Sequence, residues 1–244
     1  SYNGLKQLTD CDLPADDAAK ALTRVGLAVE GMEPHGDDTV FDVDITSNRP
    51  DCLSHLGVAR ELAAATGKSL DVFEPEPEIP MPPVLAHDIV RIDDPTRCYR
   101  FTARIIRGVK IGPSPDWLVE RLESLGERSI NNVADITNYV MLELGQPMHS
   151  FDFDKLAGGR IIVRPARAGE TMVTLDEVER KFDESMLVVC DEEKPVAIGG
   201  DQVNPTLAPI PGLVMRGRAV ATAPVTANLA GHTAVIVQYQ ATVS

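Results

Sequence analysis

The chain has 244 residues, 43% hydrophobic and 25% charged, and its 37 acidic against 23 basic side chains give a net charge of -14. That length supports one large domain or two small ones around a buried core. The acidic balance excludes a general nucleic-acid binder, whose affinity comes from Lys and Arg neutralising phosphates, while leaving room for local basic patches.

Leu13-Pro14-Ala15-Asp16-Asp17 followed by Ala18, Ala19, Leu22 and Val25 sets a capped start before an apolar stripe at helical spacing, stopped by Gly26. Leu27 to Glu30 starts a strand, Gly36-Asp37-Asp38 is a turn cluster, and Val40, Val43 and Ile45 alternate with acidic residues as a second strand. TSNRPD (46–51) breaks it. From Cys52 to Thr66, the residues Leu53, Leu56, Val58, Ala59, Leu62 and Ala63 make one helical face, ended by Gly67. Residues 74–83, EPEPEIPMPP, hold five prolines in ten positions, an extended linker that divides the chain near residue 80.

Beyond it, 89–92 and 99–109 read as strands, the second alternating Tyr99, Phe101, Ala103 and Ile105 against Arg100, Thr102 and Arg104. Pro115-Asp116-Trp117 opens a helix running through Leu118, Leu122 and Leu125 to Gly126, and a further helix spans 132–144 before Gly145-Gln146-Pro147 ends it. Residues 161–164, 172–175, 187–191 and 196–198 are short strands between turns. Short strands with a few helices between them predict an α+β fold, with a small N-terminal α/β unit and a larger mixed-sheet domain. From Asp201 to Ser244 the only charges are Asp201, Arg216 and Arg218, and 232–243, HTAVIVQYQATV, alternates as a terminal strand or else belongs to a replaced, poorly folding end.

No apolar run approaches the roughly 18 residues of a membrane span, and Ser1-Tyr2-Asn3 opens no basic-then-apolar leader. Cys11, Cys52, Cys98 and Cys190 lie far apart without a CxxC pair. The expectation is a soluble, cytoplasmic chain with reduced thiols, no membrane association, no bound metal and no cofactor.

Polar chemistry concentrates in 138–152. The helix delivers Asn138 and Glu143, a Gly/Pro turn redirects the chain, and His149 follows beside Phe151. Such a loop can aim an imidazole and an amide into a pocket, to bind a carbonyl or position a water; His149 as a core histidine bonded to a neighbouring carbonyl is the other reading. TSNRPD can hold a phosphate or serve as a turn and helix cap. Gly199-Gly200 after a strand permit close ligand approach without spelling a nucleotide fingerprint. GxSxG, HExxH and metal-spaced His/Cys clusters are absent.

VFDVDITSNRPDCLSHLGVARELAAATG (40–67) and RSINNVADITNYVMLELGQPMHSFDFDKLAGG (128–159), then TLDEVERKF and PVAIGG, closely resemble the bacterial phenylalanyl-tRNA synthetase β subunit; SYNGLKQL at the start is similar to its N-terminus, and the match runs in order from residue 1 to about 200. The resemblance implies an N-terminal unit over 1–73 without the family's inserted OB-fold, a Pro-rich linker over 74–84, a B3/B4-like editing domain over 85–200 and a divergent tail over 201–244. It implies hydrolysis of tyrosine mischarged onto the phenylalanine tRNA, with His149 catalytic and Asn138, Pro147, Gly199 and Gly200 binding substrate. A pocket that bonds the tyrosine hydroxyl discriminates well, because an unpaired polar partner is heavily penalised. Mischarged tRNA(Phe) and the synthetase α subunit are the implied partners. The later family domains are missing from this sequence, so aminoacylation by this chain alone is not expected, and the family's Gly-Gly-Glu loop after Gly200 gives way to DQVNPTLAPIPGLV. A non-catalytic RNA- or protein-binding relative and an amino-acid-binding regulatory domain are the alternatives.

Overall fold

The computed structural model describes residues 1–72, 89–174, 177–200 and 233–240, with side chains for those up to residue 198. The expected linker at 74–84 and nearly all of the segment after 200 lie outside the described residues. The chain divides into two units, Ser1–Pro80 with Pro113–Gln146, and Met81–Gly112 with Pro147–Ser244. The first unit therefore takes back a segment from the middle of the sequence.

In the first unit, helices α1 (Tyr2–Leu8) and α2 (Ala15–Arg24) precede the antiparallel hairpin of β1 (Ala28–His35) and β2 (Asp38–Asp44). Pro14 opens α2, with Asp16 and Asp17 in its first turn complementing the helix dipole. His35 pairs with Asp38, leaving a two-residue turn whose Gly36 sits at φ +61°. A 3-10 turn (Pro50–Cys52) leads to α3 (His55–Thr66), so this helix starts three residues later than periodicity suggests. Ser54 sets that start: its Oγ accepts from the Gly57 amide at 3.2 Å, and Gly67 closes the helix in the left-handed region. Leu22, Leu27, Leu62, Ala18 and Ala59 are sealed from solvent at the centre, with Tyr2 stacked on Phe41 at 5.2 Å between ring centroids. Complete burial of each leucine contributes about 2 kcal/mol.

Helices α4 (Asp116–Ser124) and α5 (Asn132–Leu144) complete this unit, and α5 packs on both α3 and α4. Asn131 caps α5 by accepting from the Val133 and Ala134 amides, each at 3.1 Å. The fully buried Asp135 carboxylate gathers Ser114 Oγ at 2.5 Å, Ser129 Oγ at 2.6 Å and the Ile130 amide at 2.8 Å, fastening the segments before both helices.

The second unit is built on strands. β3 (Val90–Ile92), β6 (Ile161–Pro165), β9 (Leu187–Cys190) and β10 (Pro195–Gly200) form a mixed sheet in the order β10-β9-β6-β3, with only β3 and β6 parallel. Along β6 and β9, alternate residues bury on opposite faces: Ile161, Val163, Leu187 and Val189 in one core, Ile162, Val188 and Cys190 in another. Arg164, 8% exposed, is clamped by both carboxylate oxygens of Glu170 at 2.9 and 2.6 Å. A second sheet has the order β4-β11-β5, where β4 (Arg100–Arg107) and β5 (Met148–Asp152) each pair antiparallel with the central β11 (Thr233–Gln240). β7 (Thr171–Val173) and β8 (Glu179–Lys181) make a separate hairpin. Helices and mixed sheets together make the fold α+β. Among the described residues, no helix is long and apolar enough to cross a membrane.

Candidate functional site

The segment after Pro147 is a strand rather than a loop. Among the described strands β5 gains its ladder from β11, which is distant in sequence, so local composition gives little sign of it. His149, Val237 and Ala103 occupy one register row across the sheet, and Phe151, Val235 and Ile105 the next row on the same face. Phe101 and Phe151 of that face are buried in the core that β6 and β9 also line, with Ala103 and Ile105 packed against it. His149 therefore stands on the core-facing side of its sheet, partly buried, its ring meeting Phe151 edge-on at 4.4 Å between centroids.

Burial pushes the His149 imidazole down to about 4, so it is neutral near pH 7. A neutral ring keeps one nitrogen as an acceptor, the state needed to take a proton from water. The same shift fixes an acid response. Between the ordinary histidine value of about 6.5 and the folded value near 4, the unfolded chain binds a proton that the folded chain does not, so stability falls as pH falls through that window. His55 in the first unit, also lowered to about 4 by burial, adds a loss of the same sign. In urea unfolding followed by circular dichroism, His149→Leu is expected to lose less stability than wild type between about pH 7 and pH 5, by on the order of 1 kcal/mol. An unchanged difference would contradict the buried neutral ring.

Of the other residues singled out by sequence, Pro147 immediately precedes β5, and Gly199 and Gly200 end β10. Gly200 pairs with Leu187 and Ile198 with Val188, leaving Gly199 as the extra residue of a bulge. Val196 and Ala197 of β10 pack against the same core as Phe151, so the strands carrying His149 and the paired glycines contribute to one apolar layer. Asn138 lies partly buried on α5 and belongs to the first unit.

TSNRPD resolves as a structural junction. The Arg49 guanidinium binds Asp51 at 3.0 and 2.9 Å and Glu61 at 2.7 Å, which occupies the nearby group of Asp51, Cys52 and Glu61 with a cation of the protein's own. Burial lifts the Cys52 thiol to about 11. Sequence reasoning passed over Ser150, which is 2% exposed on the sheet face opposite His149 with no hydrogen-bond partner for Oγ among the described residues. Nothing in the spacing of a single serine marks such burial.

Residues 97–201 match the B3/4 domain model, so the chain carries a B3/4 domain, and His149, Pro147, Asn138 and the Gly199-Gly200 pair all fall inside it. Over a wider span the chain is 52% identical across 164 residues to the phenylalanine–tRNA ligase β subunit of Carboxydothermus hydrogenoformans, covering 67% of this chain and 20% of that protein. It is 47% identical across 216 residues to the β subunit of Moorella thermoacetica, covering 88% of this chain and 24% of the relative. A crystal structure of an N-terminal fragment of the phenylalanyl-tRNA synthetase β subunit from Pyrococcus horikoshii is similar with a TM-score of 0.45 at 14% identity, covering 97% of this chain and 66% of that one. The chain belongs with the bacterial phenylalanine–tRNA ligase β subunits. It spans about a fifth of the length of the curated relatives it matches.

Proposed function

We propose that the B3/4 domain is an editing module that hydrolyses the ester of tyrosine mischarged onto tRNA(Phe). The observation that carries this reading is the B3/4 match over 97–201 with a neutral, partly buried His149 within it. In the proposed step a water attacks the ester carbonyl, His149 holds that water and takes its proton, the C–O bond to the ribose breaks, and the ribose oxygen recovers a proton. Tyrosine and free tRNA leave. Pro147 and the Gly199-Gly200 bulge are the proposed substrate-binding elements of the second unit, the glycines because backbone without a Cβ admits a close ligand.

The reading assigns hydrolysis to these residues and no aminoacylation. Its partners are mischarged tRNA(Phe) and, since the relatives are β subunits by name, a ligase α subunit.

Deacylation of Tyr-tRNA(Phe) by the whole chain tests it. His149→Ala is expected to lower the rate by about 10²- to 10⁴-fold, the usual range for a positioned proton acceptor, while Phe-tRNA(Phe) is spared by both proteins. With the imidazole ionising near 4, the His149-dependent rate is expected to stay flat from about pH 6 to pH 8. Equal, background rates for wild type and variant would end the editing reading, and calorimetric binding of free tyrosine without turnover would favour an amino-acid sensor.

A further inference from the structure

The first unit encloses a pocket of about 320 Å³ whose lining includes Gln7 of α1, His55 of α3, Arg121 of α4, Tyr139 and Glu143 of α5, and Asp71. That volume lies in the range of small-molecule sites, which begins at about 300 Å³. Every lining residue belongs to this unit.

The charges in the wall are of both signs and are not spent on each other. Arg121 donates to the uncharged Gln7 Oε1 at 3.2 Å, and no ion pair to a carboxylate holds it among the described residues. A Cβ built on Gly4 would stand 2.5 Å from Arg121 Nη1, so the guanidinium lies close against the α1 backbone. In the same wall, Glu143 accepts from the Tyr139 hydroxyl, and the Tyr139 ring is braced edge-on by Trp117 at 5.5 Å between centroids. Asp71 adds an exposed carboxylate. His55 is committed elsewhere: its Nδ1 lies 3.1 Å from the Leu142 carbonyl, which can only accept, so Nδ1 donates.

We infer that this pocket binds a small zwitterion of the free amino-acid class, its carboxylate on Arg121 and its ammonium on Glu143. The sign of the wall argues the class. A simple anion would meet Arg121 but be repelled by Glu143 and Asp71; a simple cation would meet the carboxylates but be repelled by Arg121. A molecule bearing both charges a few ångströms apart satisfies both, and bidentate contact between a guanidinium and a carboxylate supplies orientation. This site is separate from His149, Pro147 and the Gly199-Gly200 bulge, since all of its lining residues lie in the first unit.

The test is titration of the whole chain with each of the free L-amino acids up to millimolar concentration, read by backbone amide shifts. The expected result is saturable binding of at least one amino acid, with shifts at Gly4, His55, Arg121 and Tyr139. Arg121→Gln and Glu143→Gln should each weaken it about tenfold or more. Because either substitution can disturb packing, the wild-type chain is also titrated with the amide and the N-acetyl derivative of the amino acid that binds. Each derivative lacks one of the two charges, and each is expected to bind at least about tenfold more weakly. Absence of saturable binding by every amino acid, or equal affinity for the singly charged derivatives, would overturn the inference.

Discussion

Gly57→Ala is expected to destabilise the first unit by about 4 kcal/mol, at the upper end for a single added methyl group. The reason is space, not backbone freedom. A Cβ at this position would stand 1.7 Å from the Asp51 carbonyl oxygen and 2.9 Å from the Cys52 Cα. Both obstacles are backbone atoms of the 3-10 turn, which is itself pinned by Arg49 on Asp51 and Glu61. The first turn of α3 would have to move away, breaking the Ser54 cap and disturbing Val58 and Ala59 in the core. Gly67→Ala is the contrasting case. That residue is left-handed at φ +68° with nothing near its Cβ, so the loss is confined to backbone strain of about 1 kcal/mol. The single tryptophan, Trp117, lies on α4 of the same unit, so its fluorescence in a urea titration reports on this unit alone. Similar midpoints for the two variants would show that the close approach at Gly57 does not exist.

Asp135→Ala should be nearly as damaging, with a loss of about 3 kcal/mol or more. Alanine would leave the Ser114 and Ser129 hydroxyls and the Ile130 amide facing a small void in the interior. Asp135→Asn keeps the shape and one carbonyl oxygen, and the serine hydroxyls can turn to accept from its amide, so about 1 to 2 kcal/mol is expected. The same fluorescence titration separates them. A negligible loss for asparagine would mean that the bonds gathered by this carboxylate contribute nothing beyond its shape.

Much of the local structure is legible in the sequence because it is set by local chemistry. The helix over 132–144 has its capping Asn131 on one side and Gly145 on the other, and the structure starts and ends α5 at the same residues. Pro14 with Asp16 and Asp17 marks α2 equally well. Whatever depends on distant partners is not legible. The composition break near residue 80 hides the return of 113–146 to the first unit, because that return rests on α5 packing against α3. The His149 segment reads as a loop because five residues after a Gly/Pro turn carry too little pattern to announce a strand paired with β11. His149 itself stood out as an imidazole beside an aromatic, and its contact with Phe151 follows from their shared strand face. The pocket of the first unit draws Gln7, His55, Arg121 and Glu143 from four separate helices, which no spacing rule connects.

The place of β11 in its sheet has a consequence for synthesis. Among the described strands, β4 and β5 do not pair with each other; each is hydrogen-bonded to β11, which begins at Thr233. A chain emerging from the ribosome holds every described element of the first unit once Gln146 is made, but the β4-β11-β5 sheet must wait for the last of its three strands. Until then β4 and β5 present open edges, the feature that recruits neighbouring nascent chains. The order of translation thus separates the two units in time, with the histidine-bearing sheet the later one to close.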